Sequence, residues 1–417
     1  MLLCDRISRR SPLFARSFNA CNRATLSLLC GLTRVLPSLA YRFLFLLFLL
    51  VLSGISVQGQ TASPDATEPT DDVPAPTLAD STEERSNSLY ALPVVFYTPE
   101  TSLGFGVAGV YAFNFKDDLL TARPSSVQVV AAYTLQKQLL LYFPFTLFVD
   151  NGDYYTYGEI GYYRYVYKFF GIGNEVDPNV EETYGVNFPR IRLTALKRVH
   201  PKWYVGLRYW FEKFNITETD NEGMLAAGDI TGSRGGVTSG PGLVALFDTR
   251  DNVFFSSDGW YVETLLQRNA GWTGSDFNYT TFSVDASTFF RTRWDHIVAL
   301  NAYGITQSGA SPFNQMALLG GSKRMRGYFE GRYRDQSMLT IQAAYRAILF
   351  WRIGAVAFAS YGGVAPGLSD IQLEDFRYTV GGGLRFVLDR EKKINIRLDA
   401  GFGKNTSGYY LTIGEAF

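Results

Sequence analysis

Beyond residue 30 the sequence contains no cysteine, because Cys4, Cys21 and Cys30 are the only three in 417 residues. The downstream chain therefore has no disulfide, thiol nucleophile or thiolate metal site. Histidine is almost as scarce. His200 stands beside Pro201 and His296 beside Asp295, which excludes a multi-histidine metal centre. A Ser-His nucleophilic pair at either position has no supporting sequence context. Net charge is missing too: 39 Lys+Arg balance 39 Asp+Glu, so no basic field argues for nucleic acid. No run reaches the ~20 apolar residues that a membrane-crossing helix needs. With a mean hydropathy close to zero, a polytopic helical membrane protein is excluded. A membrane β-barrel is not, because its alternating strands average to neutral hydropathy. No useful length repeats at 3.6 residues, which rules out a helical solenoid.

Aromatic residues are abundant: Tyr 26, Phe 32 and Trp 6, together with 40 Gly. That usage suits strands and interfaces. Charge is also unevenly placed, with seven Arg against one Asp in residues 1–59 and a net charge of −6 over the remainder. Within the first part, FLFLLFLLVL runs from Phe43 to Leu52 behind Arg42, and Ser53, Gly54 and Ser56 lead to Gly59. Residues 1–59 are expected to be a secretory signal peptide cleaved after Gly59. An uncleaved anchor is the alternative, and the short apolar run favours cleavage. Residues 60–88 hold four Pro, seven acidic residues and no aromatic, the composition of a disordered linker. Such a stretch is shorter than the ~50 residues of an independent domain, so no soluble domain is expected ahead of a single strand-rich domain at 89–417.

Period-2 alternation decides the class of that region. Trp203, Val205, Leu207, Tyr209 and Phe211 share one face, and Tyr204, Gly206, Arg208 and Glu212 the other. Phe376, Tyr378, Val380, Leu384, Phe386 and Leu388 alternate with Arg377, Thr379, Gly381, Gly383, Arg385 and Asp389. After a charged turn, Ile394, Ile396, Leu398, Ala400 and Phe402 alternate with Asn395, Arg397, Asp399, Gly401 and Gly403. A soluble sandwich and a barrel with a wet interior both produce this pattern. The export segment, the cysteine-free mature chain, strands of about ten residues and aromatics at strand ends favour the barrel.

Gly104, Gly106 and Gly109 match G-x-G-x-x-G, but they lie in the strand-like GFGVAGVYAFNF with no helix following, so a dinucleotide site is not expected. The informative cluster is Leu319, Gly320, Gly321, Ser322, Lys323, Arg324, Met325, Arg326, Gly327 and Tyr328, followed by Glu330 and Arg332 to Asp335. Paired glycines open backbone conformations closed to other residues, and an Arg before Gly-aromatic can reach a carboxylate outside its loop. On residue types alone, an exposed basic loop meeting lipopolysaccharide phosphates is an equal reading.

Arg326-Gly327-Tyr328, with Gly320 and Gly321 before it and Asp335 after it, resembles the R-G-[FY] motif in the sixth extracellular loop of the BamA/TamA family of bacterial surface-antigen barrels. Asp248, Arg250, Asp251 and Gly259 resemble that family's D-x-R-D…G strand-entry signature, with Ser256 where Pro is usual. Phe170 to Asn174 resembles a segment of its short members. The resemblance covers residues 89–417. It implies an all-β fold: a transmembrane antiparallel β-barrel of 16 strands in the bacterial outer membrane, with the sixth loop folded into the lumen and the motif Arg bonded to inner-wall acids. Ala344 and Ser360 stand where the family carries those acids. Arg326 is therefore expected to pair with Asp399, inward by alternation, or to bond Gln342. At the C terminus, Tyr409, Leu411, Ile413 and Phe417 alternate toward one face and resemble a barrel assembly signal, with Glu415 interrupting the row.

The function implied by resemblance is assistance in inserting or moving protein or lipid at the outer membrane, without covalent catalysis, metal or cofactor. A passive diffusion channel made anion-selective by Arg377, Arg385 and Arg397 is the alternative; a structural surface antigen is another. The partners implied are outer-membrane lipid and lipopolysaccharide and, since no POTRA array precedes the barrel, a separate periplasmic or POTRA-bearing subunit.

Overall fold

The computed structural model describes residues 88–115, 125–177, 180–253, 255–389 and 393–417. The expected signal peptide and nearly all of the linker lie outside the described residues. Sixteen strands close one antiparallel barrel, as the resemblance implies: β1 (Ser88–Thr98), β2 (Ser102–Phe113), β3 (Ser125–Thr134), β4 (Leu139–Val149), β5 (Tyr154–Phe169), β6 (Glu182–His200), β7 (Trp203–Glu218), β8 (Gly236–Asp248), β9 (Gly259–Asn269), β10 (Tyr279–Arg291), β11 (Ile297–Gly309), β14 (Ser337–Phe350), β15 (Ile353–Ala365), β16 (Arg377–Asp389), β17 (Ile394–Gly403) and β18 (Thr406–Ile413), each pairing with the next and β18 closing on β1. Two short strands, β12 (Ala317–Leu319) and β13 (Tyr333–Asp335), pair with each other inside the connection 310–336. Strand lengths depart from the expected ten residues. β5 (Tyr154–Phe169), β6 (Glu182–His200) and β7 (Trp203–Glu218) have 16, 19 and 16 residues, whereas β17 (Ile394–Gly403) and β18 (Thr406–Ile413) have 10 and 8.

An even strand number puts both ends of the barrel at one rim. There the connections are short, as at 150–153, 201–202 and 351–352, and the opposite rim carries 170–181, 219–235, 310–336 and 366–376. Positive φ at Asp150, Asn151 and Gly152 lets β4 (Leu139–Val149) reverse into β5 within four residues. The alternation read in the sequence is the wall of the barrel. Val205, Leu207, Leu243 and Val380 are exposed on the outside, while Glu212, Arg385, Arg397 and Asp399 are buried inside. Trp203, Trp260, Trp294 and Trp351 are exposed at or beside the short-turn rim, the position of an interfacial aromatic girdle.

The barrel interior is filled from one side by the connection 310–336. Its Leu319, Met325 and Tyr328 are buried with Met338 of β14 (Ser337–Phe350) and Val364 of β15 (Ile353–Ala365). Its Phe313 joins Phe169, Tyr184, Phe188 and Phe214 on β5, β6 and β7. Each fully buried side chain of this size stabilises the docked loop by roughly 1.5–3 kcal/mol. The loop is thus part of the core.

Candidate functional site

Arg326 is 1% exposed and lies inside the barrel. Its Nη1 donates to Asp399 Oδ2 at 2.5 Å, and its guanidinium lies 3.5 Å from the centre of the Phe358 ring. Asp399 sits on β17 and also accepts from Arg385 Nη1 at 2.6 Å; Arg385 Nε donates to both oxygens of Glu415 at 2.8 and 3.0 Å. Gln342 does not bond Arg326. Its Nε2 donates instead to the Lys323 carbonyl, three residues earlier in the same loop, at 3.1 Å. Ala344 and Ser360 both face the lumen; Ala344 packs beside Phe289 and Phe358, and Ser360 Oγ bonds Gln342 Oε1 at 3.3 Å.

The backbone of the motif lies directly against the wall. Gly327 has φ +118, a conformation that L side chains rarely adopt, and its N–H donates to Tyr410 Oη at 3.0 Å. Thr406 Oγ1 donates to the Gly327 carbonyl at 2.9 Å, and Lys404 N donates to Tyr328 Oη at 3.1 Å. On the wall side, a Cβ added at Gly401 would stand 2.4 Å from the Arg326 carbonyl oxygen. Gly320 and Gly321 take φ of +113 and +85 in the turn that sends the loop inward. Asp335 does not approach Arg326; its Oδ1 accepts from the adjacent Gln336 N at 2.8 Å.

Other anchors carry no signal in the sequence. Arg324 donates to Asp285 Oδ2 at 3.1 Å and stacks 3.3 Å from the centre of the Tyr303 ring. Buried Arg334 donates to the Lys168 carbonyl at 3.1 Å, and its own carbonyl accepts from Gly173 N at 2.7 Å, which ties this loop to the segment 170–181. Arg377 is committed to Asn174 of that same segment, through Oδ1 at 2.5 Å and the carbonyl at 2.6 Å.

Glu330 N donates to Glu100 Oε1 at 2.9 Å, docking the loop on the turn between β1 (Ser88–Thr98) and β2 (Ser102–Phe113). The Glu330 side chain is exposed within a ring of charged groups, Glu100, Lys323, Arg190 and Arg334. Burial, then the Glu100 charge, pushes its carboxyl up to about 7. A carboxyl raised in the folded state favours docking below its ordinary value of 4.5, and that contribution disappears as pH rises through about 7. Amide exchange over 328–332, corrected for its intrinsic pH dependence, is expected to quicken between about pH 4.5 and 7. Glu330→Gln should abolish the change; a Gln variant with the same pH dependence would contradict it.

The D-x-R-D segment lies at the other rim, in the connection between β8 (Gly236–Asp248) and β9 (Gly259–Asn269). Arg250 Nε and Nη2 donate to Asp248 Oδ1 and Oδ2 at 2.9 and 3.0 Å. Asp251 accepts from Ser257 N and Oγ and from Asp258 N at 2.8, 2.5 and 3.2 Å; against the opposing effect of burial, these bonds hold its carboxyl down to about 2. Ser256 Oγ donates to the Asn252 carbonyl at 2.8 Å, a hydrogen bond that Pro could not make. Gly259 turns at φ +102 against the Thr249 carbonyl.

The expected one-faced row of Tyr409, Leu411, Ile413 and Phe417 at the C terminus is corrected at its last member. Tyr409, Leu411 and Ile413 lie on one face of β18, but the strand stops at Ile413 and Gly414 turns with φ +84. Glu415 then reaches the lumen arginines, and Phe417 packs inside the barrel against the cluster of Phe289, Ala299, Ala344, Val356 and Phe358. The ion pairs of Glu415 and this packing hold the chain on its inward course. Alternation continues through the segment, so the pattern alone could not reveal the turn.

No group of His, Cys, Asp and Glu among the described residues could hold a metal ion, and His296 Nδ1 is bonded to Tyr345 Oη at 2.6 Å. The arrangement is one of positioning: a loop held in a lumen by ion pairs, backbone bonds and aromatic packing.

Comparison with known proteins gives the same architecture. The structure resembles BamA from Haemophilus ducreyi lacking POTRA domains 1–3, with TM-score 0.53 and 13% identity over 79% of this chain and 70% of that one. It also resembles CdiB from Acinetobacter baumannii, with TM-score 0.51, 13% identity and coverage of 78% and 59%, and CdiB from Escherichia coli, with TM-score 0.53, 12% identity and coverage of 78% and 62%. The chain thus spans less than two thirds of either CdiB, and at these identities the likeness shows a shared fold. No curated protein matches the chain. The Omp85 superfamily domain matches residues 122–417, which hold every barrel strand from β3 (Ser125–Thr134) onward but not β1 and β2, and the chain belongs to the Omp85 superfamily.

Proposed function

We propose that this protein is an integral outer-membrane barrel that assists insertion or transport of protein or lipid, acting through its β1–β18 seam and without covalent chemistry. One observation carries the reading: among the described residues β1 and β18 share a single registered pair, Tyr97↔Leu411, whereas every residue of β1 from Ser88 to Thr98 is paired with β2. Backbone groups at such an edge cannot be satisfied by lipid, and each one left alone costs several kcal/mol in hydrocarbon. An incoming strand or a hydrated headgroup can satisfy them. The wall is also lowest there. The eight residues of β18 span about 26 Å at ~3.3 Å per residue, or about 20 Å at a tilt of about 40°. A wall that short thins the bilayer beside it. A periplasmic or POTRA-bearing subunit would deliver the client, with outer-membrane lipid and lipopolysaccharide as the surroundings.

Locking the seam tests this directly. In the double variant Tyr97→Cys/Leu411→Cys, oxidation should leave the barrel folded and abolish its ability to accelerate insertion of an unfolded β-barrel client into lipid vesicles, and reduction should restore it. Equal acceleration in the locked and unlocked states would contradict the seam route.

A further inference from the structure

Four guanidinium groups, those of Arg326, Arg346, Arg385 and Arg397, meet inside the barrel around two carboxylates, Asp399 and Glu415. All six side chains are more than nine-tenths buried. Two of the arginines use up the carboxylates: Asp399 takes Arg326 on one oxygen and Arg385 on the other, and Glu415 takes Arg385 Nε on both. Arg346 and Arg397 find a carboxylate oxygen only at 3.9 and 3.6 Å, outside hydrogen-bond reach. Arg346 Nη2 donates to the Phe417 backbone oxygen at 2.7 Å and Nη1 to the Ser256 carbonyl at 3.4 Å; Arg397 Nε donates to Thr412 Oγ1 at 2.8 Å. Three buried nitrogens, Arg326 Nε, Arg346 Nε and Arg397 Nη1, have no hydrogen-bond partner among the described residues. Counting a terminal carboxylate at Phe417 still leaves guanidinium groups in excess.

An excess of buried guanidinium over carboxylate charge is unfavourable in a protein interior, and unmade guanidinium bonds add to the cost. Burial pushes the Arg326 guanidinium below its ordinary pKa even though Asp399 pulls the other way. We propose that this cluster binds one phosphate-sized oxyanion, held between Arg326, Arg346 and Arg397. The planar guanidinium fork matches oxyanion geometry. Arg326 belongs to the lumen loop, Arg346 to β14 and Arg397 to β17, so the bound anion joins the loop to two separate wall strands. The occupant is a free inorganic anion, because the six side chains are more than nine-tenths buried and a lipid headgroup would have to bring its chains inside. This site is independent of the seam reading.

The test is equilibrium dialysis of radiolabelled inorganic phosphate against the full chain refolded in a nonionic detergent, with chloride holding ionic strength constant. One saturable site per chain is expected, displaced by sulfate. Arg397→Gln should weaken it about tenfold or more, as loss of a charge-assisted bond does. Arg346→Gln serves as a second variant should Arg397→Gln fail to fold, and Arg332→Gln, away from the cluster, should bind as wild type does. Absence of saturable binding by the wild type, an undiminished site in the folded Arg397→Gln or Arg346→Gln chain, or phosphate bound only as phospholipid would overturn the proposal.

Discussion

Asp399→Ala is expected to be the most damaging single substitution inside the barrel, costing roughly 3–5 kcal/mol, the range for removing one partner of a buried ion pair. Asp399 serves two arginines at once, Arg326 from the loop and Arg385 from β16 (Arg377–Asp389), and Arg397 lies 3.6 Å away. Its loss leaves those charges against Glu415 alone. Arg326→Ala should cost less, because Asp399 keeps Arg385 at 2.6 Å. Both variants should free the loop, so trypsin cuts at Lys323, Arg324 or, where it remains, Arg326 while the strands stay resistant. Urea unfolding in detergent should separate the two, with Asp399→Ala the less stable. The reverse order, or a loop that resists trypsin in both, would contradict the assigned pairing.

Gly401→Val is expected to expel the loop without altering a single charge. Valine favours strands, so on the wall alone it should be neutral or mildly stabilising. Its Cβ would nonetheless stand 2.4 Å from the Arg326 carbonyl oxygen and 2.8 Å from Gly327 N, both backbone atoms with no side-chain torsion to relieve the contact. The loop must then give up the Tyr410 and Thr406 bonds and the packing of Tyr328, a loss of several kcal/mol at about 1 kcal/mol per bond plus the apolar burial. Trypsin sensitivity should match that of Arg326→Ala, and the two substitutions together should do little more than either alone, since they undo one docking event. Additive effects would mean that the backbone contact and the ion pair act independently.

The legible part of the fold was the part with a period. Alternation in Trp203–Glu212 and Ile394–Gly403 marks wall residues and their sides, and the parity of β17 turns Asp399 inward, where it meets Arg326. Strand number had no such signal and rested on the resemblance carried by Arg326-Gly327-Tyr328 and Asp248 to Asp251. Partners across the barrel were illegible for a physical reason: register and curvature decide which inward residues face one another. Nothing in the sequence brings Glu330 to Glu100 or Arg324 to Asp285, separated by 230 and 39 positions. Tyr410 stands between Tyr409 and Leu411, and nothing in the alternation singles out the inward residue that meets Gly327. The inward course of Phe417 is illegible because a period-2 row looks the same whether or not a glycine turns the chain within it.

The docked loop fills the barrel interior, which leaves the proposed seam, and not the pore, as the route for client or lipid. Single-channel conductance of the refolded chain in a planar bilayer, wild type beside Arg326→Ala, tests it most directly. A wild type that is nearly silent or flickers, and a variant that opens to large steady currents, is the predicted result. A large steady conductance in the wild type, unchanged by the substitution, would contradict the account and return the protein to the class of passive diffusion channels.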